Sequence, residues 1–246
     1  MSSIGNKTAR YHPSLLFLTK GLSSVIIFLT DSLISNRMRI LAVADLHGAQ
    51  YRLNLVLKNI TAYTPDLVII CGDITQFGPG ELATNFLNQI PVRTLAVAGN
   101  IDSFDVDQGI SESNATNLHQ RQVIVQGIPF VGIGREIPSH LPDLLIDEGT
   151  VKKPLKKILK TSSVLVTHYP PFKTQDRIFI GTHGGSKELR SLMDTYTPRL
   201  VLCAHIHEDP GISKIGETTV VNCSMGKRTE GTLIDISESL KVKMLD

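Results

Sequence analysis

Residues 39–47 read RILAVADLH. The first six form a short, mostly apolar run, the pattern of a strand buried on both faces. The run stops on Asp45-Leu46-His47, which brings two chemically active side chains that a buried strand does not need. The same event recurs four times. Asp66–Cys71 runs into Gly72-Asp73, and Val92–Ala98 into Gly99-Asn100-Ile101-Asp102. Ser163–Thr167 runs into His168, and Leu200–Ala204 into His205-Ile206-His207. Helix-period segments lie between them: Leu53, Leu57 and Ile60; Leu82, Phe86 and Ile90, ended by Pro91; and Leu189, Leu192, Met193 and Tyr196 after Ser186. Strand, helix and strand in alternation predict a layered α/β domain.

The remaining segments fill in this outline. Residues 103–120 read as a loop with a short helix. Gln122–Gln126 and Ile128–Ile133, joined at Gly127, predict a β-hairpin. Residues 139–160 read as an irregular helix, with Pro154 suited to a first helical turn. Tyr169–Gly185 is a long loop. Thr218–Asn222, Thr232–Ile236 and Leu240–Met244 predict an all-strand ending.

Composition narrows the class. The chain has 246 residues, 25 basic and 23 acidic side chains, and 41% apolar residues. Those proportions exclude a disordered chain, a collagen-like repeat and a multi-span membrane protein. A net charge of +2 does not suggest a wholesale nucleic-acid binder, and no specific nucleic-acid site is evident. Cys71, Cys203 and Cys223 are too scattered for a disulfide framework or a zinc finger, so a reducing, cytoplasmic setting is expected. Beside the ligand motifs, Cys71 and Cys203 read as buried small hydrophobes. The lysine run Lys152, Lys153, Lys156, Lys157 and Lys160 reads as a solvated helix face.

Residues 1–37 differ from the rest. Leu15, Leu18, Leu22, Val25 and Leu29 mark one face of a helix, interrupted by Lys20 and Asp31. Three readings stay open: a packed or interfacial amphipathic helix making peripheral membrane contact through residues 13–34, an extension ahead of a start at Met38, and a membrane anchor. The charge-free run Gly21–Thr30 is shorter than the roughly 20 apolar residues that a bilayer crossing needs. These 37 residues carry four basic groups and one acidic, leaving 21 basic and 22 acidic groups for residues 38–246. The slight basicity of the chain therefore belongs to the extension.

In an open α/β sheet, ligands bind beyond the carboxyl ends of the strands. Five strand ends would bring Asp45, Asp73, Asn100, His47, His168, His205 and His207 to one edge. Carboxylate, amide and imidazole groups without thiolate suit Mn, Fe, Zn or similar divalent ions. Seven groups are too many for one tetrahedral zinc and about right for two ions sharing a carboxylate, the usual device for displacement at phosphorus.

In this order the motifs resemble the calcineurin-like metallophosphoesterase family, over about residues 38–246. The segment Thr167-His168-Tyr169-Pro170-Pro171 and Gly184-Gly185-Ser186 are similar to its small prokaryotic branch. The resemblance implies a four-layer α/β/β/α sandwich. It also implies a hydrolase acting on a phosphomonoester or phosphodiester, such as a small molecule or nucleotide, through metal-bound hydroxide. Asp45, His47 and His207 would bind one ion, Asn100, His168 and His205 the other, and Asp73 would bridge. Some relatives have lost ligands and serve as non-catalytic binding or scaffold proteins, but here none of the seven is missing.

Two departures stand out. Ala204 replaces the usual Gly before the last motif, a mild change. Many relatives carry His after the Asn, where it aids the leaving group, whereas this chain has Ile101. Asp102 is then a candidate for orienting ligand histidines from behind, or for a donor role. His183 is the candidate proton donor, the alternative being a loop histidine exposed to water.

Overall fold

The computed structural model describes residues 37–135, 154–179, 181–226 and 229–246. The three readings of the N-terminal extension and most of the 139–160 helix lie outside these residues. No helix among the described residues is long and apolar enough to cross a membrane.

The strands in chain order are β1 (Met38–Val43), β2 (Leu67–Cys71), β3 (Thr94–Val97), β4 (Thr116–Asn117), β5 (Gln122–Val125) and β6 (Ile128–Ile133). They continue with β7 (Val164–Thr167), β8 (Leu200–Cys203), β9 (Gly211–Ile215), β10 (Thr218–Asn222), β11 (Gly231–Ile236) and β12 (Leu240–Leu245). The helices are α1 (Gln50–Tyr63), α2 (Gly80–Leu87), α3 (Val106–Glu112) and α4 (Lys187–Tyr196). One six-stranded sheet has the order β12-β11-β1-β2-β3-β4, and the other β5-β6-β7-β8-β10-β9. β1, β2 and β3 are parallel in the first sheet, as are β6, β7, β8 and β10 in the second.

Alternation along the strands decides the layering. Ile40 and Ala42 of β1, with Ile69 of β2, meet Val164, Val166, Leu200 and Leu202 in a core between the sheets. The intervening Leu41, Val43, Val68 and Ile70 face outward and pack under Leu53, Val56 and Ile60 of α1 and Phe86 and Leu87 of α2. On the far side, Leu165 and Val201 pack under Leu189, Leu192 and Met193 of α4. The result is helix, sheet, sheet, helix, the four-layer sandwich that the motifs implied. Strands covered on both faces cannot show apolar–polar alternation, which is why they read as continuous apolar runs.

Local chemistry sets the element ends. Ser186 accepts a hydrogen bond from the Leu189 amide at the start of α4, a cap worth about 1 kcal/mol. α1 and α4 both end on a left-handed threonine, Thr64 and Thr197. The β5–β6 hairpin turns through Gln126 and Gly127, both at positive φ, as a two-residue hairpin requires. β9 and the two-residue β4 are absent from the sequence reading. Both are edge strands, and β9 alternates half-buried with exposed positions, so neither offers an apolar run.

The β1–β11 seam carries an ion pair. Arg39 stands opposite Asp235 in register, its Nε donating to Oδ1 at 2.9 Å, and Arg37 Nη2 donates to Oδ2 at 2.6 Å. The Arg39 hydrogen bond, joined by that of Arg37, outweighs partial burial and holds the Asp235 carboxyl at about 2, below its ordinary 3.8. Because the folded value lies below the unfolded one, the stabilisation is complete above about pH 5 and is lost as pH falls through about 2. Asp235→Asn should cost roughly 1 kcal/mol in urea denaturation at pH 7. The gap to the parent chain should stay constant down to about pH 5 and close towards pH 2. A gap unchanged at pH 2 would assign the loss to packing instead.

Candidate metal centre

All seven side chains singled out in the sequence follow the carboxyl ends of β1, β2, β3, β7 and β8. The two sheets present those ends at one edge, and hydrogen bonds cross between them. His168, after β7, places Nδ1 2.8 Å from the Cys71 carbonyl of β2 and Nε2 2.8 Å from Asn100 Oδ1. The same Nε2 lies 3.4 Å from Asp73 Oδ2. Ligating atoms of Asp45, His47 and His207 all lie within 4.8 Å of one another, as do those of Asp45, Asp73 and His168. Asp45 is common to both groups. His205 stands beside the second, its ring edge-on to His168 with centroids 5.2 Å apart.

The backbone is bent to make this possible. Asp45, His47, Asp73 and His205 have φ of 58°, 51°, 51° and 73°, left-handed values that cost a non-glycine residue of order 1 kcal/mol or more. Hydrogen bonds between the exit loops over-determine them: Asp45 N to Gly72 O, His47 N to Asp73 O and Gly48 N to Ile74 O, each 2.9–3.0 Å. Two glycines are required by space. A Cβ on Gly99 would stand 2.1 Å from Asp73 Oδ1, and one on Gly72 would stand 2.5 Å from His168 Nδ1.

Asp45 is fully buried and Asp73 nearly so. Among the described residues, no hydrogen bond of normal geometry reaches either Asp45 oxygen or His47 Nδ1. Buried polar atoms without a hydrogen bond are costly, and His207 Nε2 lies 3.3 Å from Asp45 Oδ1. Burial pushes the Asp45 carboxyl up, but the imidazoles of His207 and His168 outweigh it and hold the value below the carboxylate norm. Burial alone would lower His168, yet the carboxylates of Asp73 and Asp45 raise it to about 9. Burial and the neighbouring His168 bring His205 down to about 4, and burial lowers His47, so both rings are in the neutral form that ligates metals. The donor set and the orphaned atoms fit divalent cations. The Cys71 and Cys203 thiols are raised by burial and are not thiolate ligands.

Asp102 makes no hydrogen bond to an imidazole among the described residues and holds the ligand loops instead. It accepts four hydrogen bonds: Oδ2 from the amides of Ile74 (3.1 Å) and Gly99 (2.8 Å), and Oδ1 from the amide (2.7 Å) and hydroxyl (2.8 Å) of Thr75. It therefore laces the Asp73 loop to the Asn100 loop, with both oxygens engaged as acceptors. Burial raises its carboxyl, partly offset by these donors. His183 sits in the 170–186 loop with Nδ1 2.6 Å from Asp176 Oδ1. Asp176 is buried, and its other oxygen accepts from the amides of Lys173 and Gly185. Asn222 joins this loop to the histidine pair by donating to the carbonyls of Gln175 (3.2 Å) and Ile206 (2.9 Å). Asp176 and Asn222 escaped the sequence reading because neither lies in a motif. Their one sequence signal is a polar side chain inside an otherwise apolar or turn segment.

A family model described as calcineurin-like phosphoesterase matches residues 38–209. An uncharacterised protein of Methanocaldococcus jannaschii is 32% identical over 199 residues, 76% of this chain and 88% of that one. A probable glycerophosphodiester phosphodiesterase of Arcobacter nitrofigilis is 27% identical over 180 residues, 66% of this chain and 64% of that one. Among solved structures, a Thermus thermophilus protein superposes with a TM-score of 0.64 at 17% identity, covering 85% of this chain and 99% of that one.

Asp102→Asn should turn an amide NH₂ towards backbone donors and leave one buried N–H unpaired. A loss of about 2 kcal/mol in urea denaturation is expected, with weaker Mn²⁺ binding by calorimetry. Parent-like stability would show that the lacing contributes nothing.

Proposed function

The chain belongs to the calcineurin-like phosphoesterases, hydrolases of ester bonds, and on that premise we propose that it cleaves a phosphomonoester or phosphodiester at a dinuclear metal centre. The observation that carries this reading is the buried pair Asp45 and Asp73, set among four imidazoles, with no hydrogen bond of normal geometry to either Asp45 oxygen and His207 Nε2 3.3 Å from Asp45 Oδ1. Asp45, His47 and His207 would hold one ion, and Asn100, His168 and His205 the other. Asp73 would bridge from the base of the site, where Ile101 N holds its Oδ1 at 3.1 Å. Two divalent ions held there supply an activated water and positive charge against the phosphate oxygens. The catalytic domain is residues 38–246, with residues 1–37 an extension.

The chain's own residues supply orientation and a proton. His168 Nδ1 donates to the Cys71 carbonyl, which directs Nε2 into the site. Ile101, in place of a histidine, cannot protonate a leaving group. We assign that part to His183: Asp176 fixes its Nδ1, which leaves Nε2 as the ring atom that would pass a proton to a departing alkoxide. The name of the Arcobacter relative supports including diesters among the substrates.

With Mn²⁺ supplied, the purified chain should hydrolyse 4-nitrophenyl phosphate or bis(4-nitrophenyl) phosphate, and Asp73→Asn should lower kcat by at least about 10³-fold. No metal-dependent turnover on either ester would count decisively against the reading. His183→Ala should cost about 10²-fold on alkyl esters and much less on nitrophenyl esters, whose leaving groups need little proton help. Equal rates for parent and variant on every ester would remove His183 from the mechanism.

A further inference from the structure

Arg52 lies seven residues beyond Asp45, in the first turn of α1. A cation there opposes the positive end of the helix dipole and costs a few tenths of a kcal/mol. Nothing local offsets it: the first turn holds no acidic residue, and the N-cap, Ala49, makes no side-chain cap. Arg52 is nevertheless fixed in place. Its Nη1 donates to the Asp45 carbonyl, and its Nε donates to the Tyr51 hydroxyl at 2.9 Å. A guanidinium has five N–H donors. Among the described residues, no further acceptor takes the remaining ones. Its bond to the Asp45 carbonyl places it beside the first group of ligands.

The guanidinium opens on a cavity of about 310 Å³ lined by Tyr51, Arg52, Leu55, Met225, Gly226 and Thr229. Met225 follows directly from the ligand edge, its amide donating to the Ala44 carbonyl at 3.3 Å. Among the described residues, Arg52 is the one cation of the lining, and Leu55 and Met225 give it an apolar part. A guanidinium with spare donors, held at the ligand edge and lining a cavity, describes a place for an anion.

We propose that Arg52 and this cavity form a subsite for a second oxyanion carried by the substrate, with Leu55 and Met225 against the carbon skeleton that joins it to the scissile phosphoester. The substrate class is then a small phosphoester whose alcohol bears a further phosphate or carboxylate. The subsite rests on the phosphoesterase reading above for the position of the scissile group.

The test uses the full chain loaded with Mn²⁺ and three matched esters: propyl phosphate, 2-carboxyethyl phosphate and propane-1,3-diyl bisphosphate. The second oxyanion should raise kcat/KM about tenfold or more over propyl phosphate, the gain expected of one charge-assisted pair. The bisphosphate and the carboxylate arms show which oxyanion is preferred. Arg52→Gln should collapse that ratio towards one. Leu55→Trp, which fills the cavity without touching the Asp45 loop, should do the same. A structural role for Arg52 would lower all three esters together and leave the ratio intact, which overturns the subsite. Calorimetry with propane-1,3-bisphosphonate gives a readout without turnover: the parent should bind about tenfold more tightly than Arg52→Gln. Equal affinities overturn the proposal. Arg52-dependent binding with no turnover of any ester would sustain the subsite while the hydrolase reading fails.

Discussion

Two carboxylates buried where the sheets meet set the terms for this molecule. Asp45 and Asp73 are almost wholly excluded from water, each at the end of a central parallel strand. Ionised carboxylates in such a place repel one another and forfeit hydration worth several kcal/mol each. Positive charge must repay this. His168, whose value rises to about 9 between them, supplies part. Divalent cations would supply far more, since the ion becomes the largest local charge in the site. The left-handed backbone at Asp45, His47, Asp73 and His205, and the glycines at 72 and 99, are consequences of the same demand: strands must stop abruptly and turn their next side chain inward.

The fold is then a device for aligning strand ends. The central strands of each sheet are buried on both faces, so they sit between core layers, and the exit loops then need few residues to hold a ligand in place. Asp102 shows how the loops are tied together, with one carboxylate spending all its acceptors on two of them. Asn222 and Asp176 do similar work on the other sheet. The chain's departure at Ile101 removes a possible proton donor next to Asn100 while its amide still holds Asp73 Oδ1.

The strands, and the polar side chains that follow them to one edge, were readable in the sequence because both depend on side-chain type along and just beyond the apolar runs. A fully apolar run ending in Asp-Leu-His has few other uses, and the period of two within the runs decides which core each residue joins. What escaped notice works through backbone groups. β9 is an edge strand whose exposed positions are polar, and β4 is two residues long. Three of the four donors to Asp102 are backbone amides, which carry no side-chain signature. Arg52 offered one clue, a cation in a first helical turn, that only the cavity beside it makes meaningful.

The central claim is that five strand ends assemble a site for two ions around the buried carboxylates. Crystals grown with Mn²⁺, with diffraction recorded for its anomalous signal, test it most directly. The account predicts two peaks about 3.5–4 Å apart, with Asp73 between them and Asp45 and His168 on opposite sides. A single peak, or two peaks bound away from Asp73, would contradict it.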